Sequence, residues 1–206
     1  MKITIWMIRH GMTAGNLEKR YVGSTDEPLC EKGYQQILDK RWDHRIETVY
    51  VSPMRRCIET ADILFPNVRQ EIVDDWRECS FGAFEYKNYH ELNGHPDYQK
   101  WIDSGGVIGF PGGEDQKTFC ARVQNAFAAW VSDALLPKIQ ETNSERLQTT
   151  AMVVHGGTIM AILSKWAIPH EDYFHWQAAN GSGYSVCLDT DAWQAGDERL
   201  TILKKF

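Results

Sequence analysis

No run of apolar residues in the chain is long enough to cross a bilayer. The apolar N-terminal stretch from Met1 to Ile8 is broken by Arg9-His10 before it reaches the length of a signal-peptide core and cleavage site. No membrane span, membrane partner or leader is expected. Positive charge is also scarce: 22 Lys and Arg against 28 Asp and Glu leave a net charge of −6, whereas a nucleic-acid binder normally carries a basic stripe. Nucleic acid is therefore not an expected partner. The five cysteines (Cys30, Cys57, Cys79, Cys120, Cys187) are scattered and odd in number, with no C-x-x-C pair, so neither zinc nor a redox dithiol is indicated. Reduced thiols in a cytoplasm are the simplest reading. Internal repeats and linker-like tracts are absent too, and 206 residues suit one core better than two. A single domain over residues 1–206 is expected.

What the chain does contain is an alternation of strand and helix patterns. Ile3 to Ile8 reads as a strand buried on both faces and ends at Arg9-His10-Gly11. Glu31 to Trp42 reads as a helix and Thr48 to Val51 as a strand. Ser52-Pro53 is a strong helix start, because Ser caps free N–H groups and Pro fits the first turn. Glu71 to Trp76 reads as a third strand, and Gly94 to Gly113 as loop. A long amphipathic helix is expected from Glu114, with Phe119, Val123, Phe127 and Trp130 on its core face, stopping near Pro137. Thr149 to Val154 is a second fully apolar strand, and it too ends in His-Gly, at His155-Gly156. A helix carrying Ile159, Ile162, Leu163 and Trp166 follows. Gly183–Leu188 and Leu200–Leu203 suit a terminal pair of strands. This is the signature of an α/β fold: a three-layer sandwich, its open, mostly parallel sheet covered by helices on both faces, with ligands bound beyond the strands' carboxyl ends.

Both His-Gly junctions fall at such ends, so His10 and His155 become neighbours if their strands pair. An R-H-G tripeptide by itself is as well explained by a histidine at a strand end and a surface ion pair. Recurrence changes that weighing. Arg55 and Arg56 lie in the first turn after Ser52-Pro53, and Arg77-Glu78 follows a strand-like run. Two imidazoles, guanidiniums and a carboxylate at element ends are the groups that phosphoryl transfer requires. They supply a nucleophile, charge stabilisation of the equatorial oxygens and a proton for the leaving oxygen.

With these residues in place the chain resembles the histidine phosphatase superfamily, which includes the cofactor-dependent phosphoglycerate mutases. The resemblance is carried by Arg9-His10-Gly11, Thr13, Asn16, Arg20-Tyr21-x-Gly23-x-x-Asp26-x-Pro28-Leu29 and Glu31-Lys32-Gly33. It continues through Ser52-Pro53-x-x-Arg56-x-x-x-Thr60-Ala61, Arg77-Glu78-x-x-Phe81-Gly82-x-x-Glu85, Pro111-Gly112-Gly113-Glu114 and His155-Gly156-Gly157-Thr158. The resemblance implies that His10 is the phosphorylated nucleophile and Glu78 the proton donor, then the base for water. It further implies that Arg9, Arg56 and His155 hold the phosphoryl oxygens, with Asn16, Thr13 and Gly156 as substrate contacts. No metal and no organic cofactor enters that chemistry. Preferring Arg56 to Arg55 rests on the resemblance alone, since the helical wheel puts neither on the Met54/Ile58/Ala61 face. Met12 and Tyr86 depart from the common pattern, the latter standing where many members have Gly.

The partner implied is a small phosphorylated metabolite, and the chain acts as a monomer or homodimer. The phosphatase branch, which resembles α-ribazole and sugar-phosphate phosphatases, fits the length and the Phe81-Gly82-x-x-Glu85 segment. A phosphoglycerate mutase is the second reading, opposed by Met12 and the short middle region. A non-catalytic phospho-ligand-binding protein is a third. A zinc hydrolase built on His10, His155 and Glu78 is opposed by Arg9 and Arg56, which would repel a dication. His44, His90, His95, His170 and His175 read as surface or loop histidines, with His90 and His95 nearest to the pocket. The chemistry asks for a neutral His10 and a Glu78 protonated at the first step, which places the activity optimum on the acid side of neutral or near it.

Overall fold

The apolar N-terminal run forms β1 (Lys2–Arg9) in a computed structural model that describes residues 1–40, 46–142 and 149–206. The chain continues through α1 (Ala14–Leu17), α2 (Glu31–Leu38), β2 (Thr48–Val51), α3 (Arg55–Leu64) and β3 (Arg69–Ile72). Two small helices, α4 (Tyr89–Leu92) and α5 (Pro96–Asp103), precede the long α6 (Gln116–Ala129). A π-helical stretch, Trp130–Leu135, carries α6 into α7 (Leu136–Thr142). Then come β4 (Thr149–Val154), α8 (Gly156–Trp166), β5 (Ala167–Ile168), β6 (Gly183–Asp189), α9 (Thr190–Gln194) and β7 (Leu200–Lys205).

The described strands form one seven-stranded sheet in the order β3-β2-β4-β1-β6-β7-β5. Only β6 runs against the rest, pairing antiparallel with both β1 and β7. Alternation along β1 sends Ile3, Ile5 and Met7 to the face covered by α6 and α8, and Trp6 and Ile8 to the face covered by α2 and α3. Helices therefore cover both faces, as expected. The decisive register is that of β1 with β4: Arg9 lies opposite Val154 in a parallel ladder. The next residue of each strand is a histidine.

Several boundaries differ from the expectations. α2 ends at Leu38, with Asp39 as its C-cap, and the predicted end at Trp42 lies outside the described residues, as does His44. The expected strand Glu71–Trp76 begins earlier, at Arg69, and stops at Ile72, because its four residues match the four of β2. Beyond it Asp74–Trp76 turns in a 3-10 helix that drives Trp76 into the core, 5.3 Å from the Trp130 ring. The stretch read as loop from Gly94 contains α5, capped by Pro96 in its first turn and by His95 Nδ1, which accepts the Asp97 N–H at 3.2 Å.

Pro137 does not stop the long helix. The Leu136 N–H reaches back to Val131 O across the wider π turn, so the missing N–H of the next residue falls where the i→i−4 ladder is already open. Nor does Ser52 start α3. That helix begins at Arg55, after Met54, and its first N–H is received by Asp26 Oδ1 at 2.7 Å. Ser52 has another task.

Candidate active site

His10 and His155 leave adjacent strand ends and meet, ring centroids 5.2 Å apart and inclined at 66°. His10 Nδ1 lies 2.7 Å from Gly11 O. A carbonyl only accepts, so Nδ1 carries the proton and the Nε2 lone pair is left available as a nucleophile. The His10 backbone is fixed from two sides: its N–H donates to Val154 O at 2.9 Å, and its carbonyl accepts from Asn180 Nδ2 at 3.2 Å. The adjacent Gly11 N–H donates to Thr60 Oγ1 at 2.9 Å, tying the loop to α3.

His155 occupies the N-cap of α8 in an extended conformation, yet its side chain makes no cap bond. It is turned into the site instead. Arg56 Nε donates to its Nδ1 at 3.3 Å, which leaves Nε2 as the protonated nitrogen, facing Ser52 Oγ at 2.7 Å. Arg56 is fully buried, and its other nitrogens donate to Thr25 O at 2.8 Å and Gly23 O at 2.9 Å. Those two carbonyls are themselves positioned: Glu85 Oε1 accepts both the Gly23 and the Thr25 N–H at 2.8 Å. The helical wheel that set Arg56 off the buried side of α3 was wrong, because the buried face runs through Arg56, Cys57, Thr60 and Ala61. Arg55 points outward, 59% exposed and paired with Glu59 at 2.7 Å.

Arg9 donates from one terminal nitrogen to Ala178 O at 2.8 Å, while its buried Nε has no hydrogen-bond partner among the described residues. The guanidinium lies against Gly156, where a Cβ would stand 3.4 Å from it. Glu78 accepts from the Cys79 N–H at 3.0 Å with one oxygen and from the Gly157 N–H at 3.2 Å with the other. Arg9, Glu78, Gly156 and Gly157 share one wall of a pocket of about 410 Å³. The N-terminus of α8 adds a favourable field for an anion there.

Burial, then the positive charges of Arg56 and Arg9, hold His10 well below the usual imidazole range. His155 is lowered by the same burial and by Arg56 ahead of His10 and Arg9. Both rings are neutral at neutral pH. Cys57 Sγ lies 3.6 Å from His155 Nε2, and burial pushes that thiol up to about 12, so it adds no charge. The site combines neutral imidazoles with fixed guanidiniums, an arrangement suited to a dianion and one that leaves His10 Nε2 unprotonated.

The model of the histidine phosphatase superfamily, branch 1, matches residues 5–198. The chain belongs to this superfamily. It is similar, at 26% identity over 166 residues, to a protein of Hydrogenobacter thermophilus described as a candidate phosphoserine phosphatase, covering 77% of this chain and 76% of that one. The crystal structure of an α-ribazole phosphatase from Shigella flexneri superposes with a TM-score of 0.80 at 20% identity, over 98% of this chain and 96% of that one. A phosphoglycerate mutase from Thermus thermophilus gives 0.65 at 24%, over 99% and 98%. At such identities these structures speak for the fold alone.

The histidine phosphatase residues read from the sequence are brought together in unequal ways. His10, Arg56 and His155 meet directly, and Arg9, Glu78 and Gly156 face the adjoining pocket. Asn16 accepts from Asn180 Nδ2 at 3.0 Å, beside the His10 loop. Thr13 is fully buried, and its hydroxyl accepts the Asn16 N–H at 3.2 Å. Its contribution is thus to hold Asn16. Tyr86 adopts a left-handed backbone, φ 60°, with its hydroxyl donating to Glu27 at 3.1 Å. Met12, His90 and His95 do not line the pocket, whereas Phe119, read only as core, forms part of it.

Sequence reasoning missed Ser52 as the partner of His155, Asn180 as the clamp on the His10 loop, and the Ala178 carbonyl that fixes Arg9. The Asn180-Gly181 pair is a turn signal that marks the place. Nothing local marks the other two. Among the described residues no group of three or more His, Cys, Asp and Glu side chains is gathered so as to hold a metal ion, and no helix is long and apolar enough to cross a membrane.

Proposed function

We propose that this chain is a phosphatase of small phosphate monoesters that works through a phosphohistidine on His10 Nε2. The observation that carries the reading is the hydrogen bond from His10 Nδ1–H to Gly11 O, in a ring kept neutral by burial and two guanidiniums. It leaves one unprotonated nitrogen in a ring 5.2 Å from that of His155, with Arg56 and Arg9 as the charges acting on it.

In the first step Nε2 attacks phosphorus, the P–O bond to the alcohol breaks, and the leaving oxygen takes a proton from Glu78. In the second, water gives its proton to the Glu78 carboxylate as it attacks phosphorus, the P–N bond breaks and inorganic phosphate departs. Arg9 and Arg56 stabilise the equatorial oxygens throughout, and His155 lends them its Nε2 proton in place of Ser52. Asn16 and the Gly156 backbone contact the bound phosphate. No metal is required, since two fixed guanidiniums supply the cationic charge. α-Ribazole 5'-phosphate and sugar phosphates are the substrates to test first, and a cytoplasmic setting agrees with five free cysteines.

The test is a rapid quench with a labelled aryl phosphate followed by mass spectrometry of the His10 peptide. A phosphoryl adduct on His10 and loss of hydrolysis in His10→Ala are expected. Unchanged hydrolysis in that variant eliminates the assignment.

A further inference from the structure

The pocket that opens over Arg9 and Glu78 is walled by aromatic rings that the phosphoryl chemistry does not need. Tyr21, Phe81, Trp101 and Phe110 come from four separate segments and pack against one another, Tyr21 edge to face on Trp101 and the Tyr21–Phe81 and Trp101–Phe110 pairs tilted. The Tyr21 ring lies 5.3 Å from Phe81 and 6.0 Å from Trp101, and the Phe110 ring 5.2 Å from Trp101. Tyr173 and Phe174, in the 3-10 turn between β5 and β6, add a further part of the wall, their rings 5.1 Å apart. Phe174 remains 56% exposed although it lines the pocket. Gly106 passes over the Trp101 indole where a Cβ would stand 3.4 Å from the ring.

Charge is missing from the same surface. Apart from Arg9 and Glu78, no Lys, Arg, His, Asp or Glu is among the described residues of the lining. Arg9 is committed to the phosphoryl group and Glu78 to the leaving oxygen. The Tyr21 hydroxyl is already engaged with Tyr98 at 3.0 Å, which leaves the amides of Gln116 and Gln177 and the Tyr173 hydroxyl as the main uncharged polar groups. A leaving group bearing a carboxylate or a second phosphate would lose its water here and find no cation. A flat apolar ring would find edges and faces to pack on.

We propose that this pocket receives the leaving group, and that the preferred substrate is the phosphate monoester of an uncharged alcohol carrying a flat aromatic ring. Trp101 and Phe174 determine that specificity. The proposal rests on the phosphatase reading above, and it sets this chain apart from enzymes acting on phosphorylated carboxylic acids. A volume of about 410 Å³ holds such a ring together with a short linker to the phosphate.

The test compares 3-phenylpropyl phosphate with n-propyl phosphate, whose primary alcohols are equally poor leaving groups, so that only the ring differs. Wild type is expected to favour the phenyl ester by roughly tenfold or more in kcat/KM, and to turn over O-phosphoserine more slowly than either. Trp101→Ala is expected to narrow the ratio. Phe174→Ala, which removes an exposed side chain and does not threaten the core, is expected to narrow it too. Equal kcat/KM for the two esters, a ratio unmoved in both variants, or faster turnover of O-phosphoserine would overturn the assignment. If wild type releases phosphate from none of them, the phosphatase reading fails by itself. Calorimetry with phenylpropyl and propyl phosphonates then decides the pocket: tighter binding of the phenyl compound upholds it, and equal affinity refutes it.

Discussion

Ser52 Oγ stands 2.7 Å from His155 Nε2, so a serine placed to cap a helix instead holds the second imidazole of the site. Because Arg56 Nε already donates to Nδ1 of that ring, the Ser52 hydroxyl receives the remaining proton and fixes both tautomer and tilt. The backbone of Ser52 is secured separately, its N–H donating to Val153 O at 3.1 Å. Ser52→Ala is therefore expected to fold but to lower kcat about tenfold. Its stability should fall by about 1–3 kcal/mol, the cost of a buried polar group left unpaired. Steady-state kinetics beside a urea titration check both numbers, and an unaltered kcat would deny Ser52 any part in orienting the ring.

Arg56 and Arg55 are adjacent in sequence and opposite in consequence. The buried guanidinium spans Gly23 O, Thr25 O and His155 with three donors, a fork that a lysine ammonium does not reproduce. Arg56→Lys is expected to reduce kcat/KM by about a hundredfold or more, with a stability loss of roughly 2–3 kcal/mol. Arg55→Ala breaks an exposed pair with Glu59 and is expected to leave both quantities nearly unchanged. Measuring the two variants side by side tests the assignment, and a larger loss in the Arg55 variant would reverse it.

Much of the proposed catalytic half of this site was legible because most of its members mark the end of an element. Two apolar runs ending in His-Gly announce two strands, and adjacent strands in a mostly parallel sheet bring their ends together. Arg9, His10 and His155 are found this way, whereas Glu78 follows a 3-10 turn at a place where a strand was expected. The leaving-group half is not local. Tyr21, Phe81, Trp101, Phe110 and Tyr173 belong to five segments with no shared period, and Trp101 sits on a helix within a stretch whose glycines read as loop. Ser52 misled for a physical reason: a serine before Pro satisfies the local capping rule, and only the tertiary fold shows Asp26 doing that work. Arg56 could not be chosen over Arg55 from a wheel, because the buried face of α3 turns polar where it meets the site.

Acid should destabilise the fold through the two histidines. Burial and neighbouring guanidiniums hold His10 and His155 well below the ordinary imidazole value. The unfolded chain takes up protons at both positions below about pH 6.5, and the folded chain does not. The unfolded state then binds more protons, so stability is lost as pH falls below that value and contributes no slope above it. Denaturant midpoints measured from pH 5 to pH 8 should rise to about pH 6.5 and then level off in this respect, with a shallower rise in His10→Gln. An unchanged slope in that variant would mean that His10 titrates normally when folded. The same depression keeps His10, the proposed nucleophile, unprotonated, so the acid limb of activity expected from it belongs below the ordinary imidazole range.

The role of Glu78 is separable from that of the cations by the choice of leaving group. A Cβ at position 157 would lie 2.3 Å from Glu78 Oε1 and 3.0 Å from Phe119 Cζ, so Gly157→Ala displaces the carboxyl from the N–H that now holds it. An alkoxide departs only with a proton, whereas p-nitrophenolate departs without one. Loss of the proton donor is therefore expected to cost about a hundredfold or more on an alkyl phosphate and about tenfold or less on p-nitrophenyl phosphate. Glu78→Gln should show the same divergence without the steric change. Comparing kcat/KM for the two substrates in both variants isolates the proton. Equal losses on the two esters would assign Glu78 to holding the site rather than to donating, and would move the general acid elsewhere in the pocket.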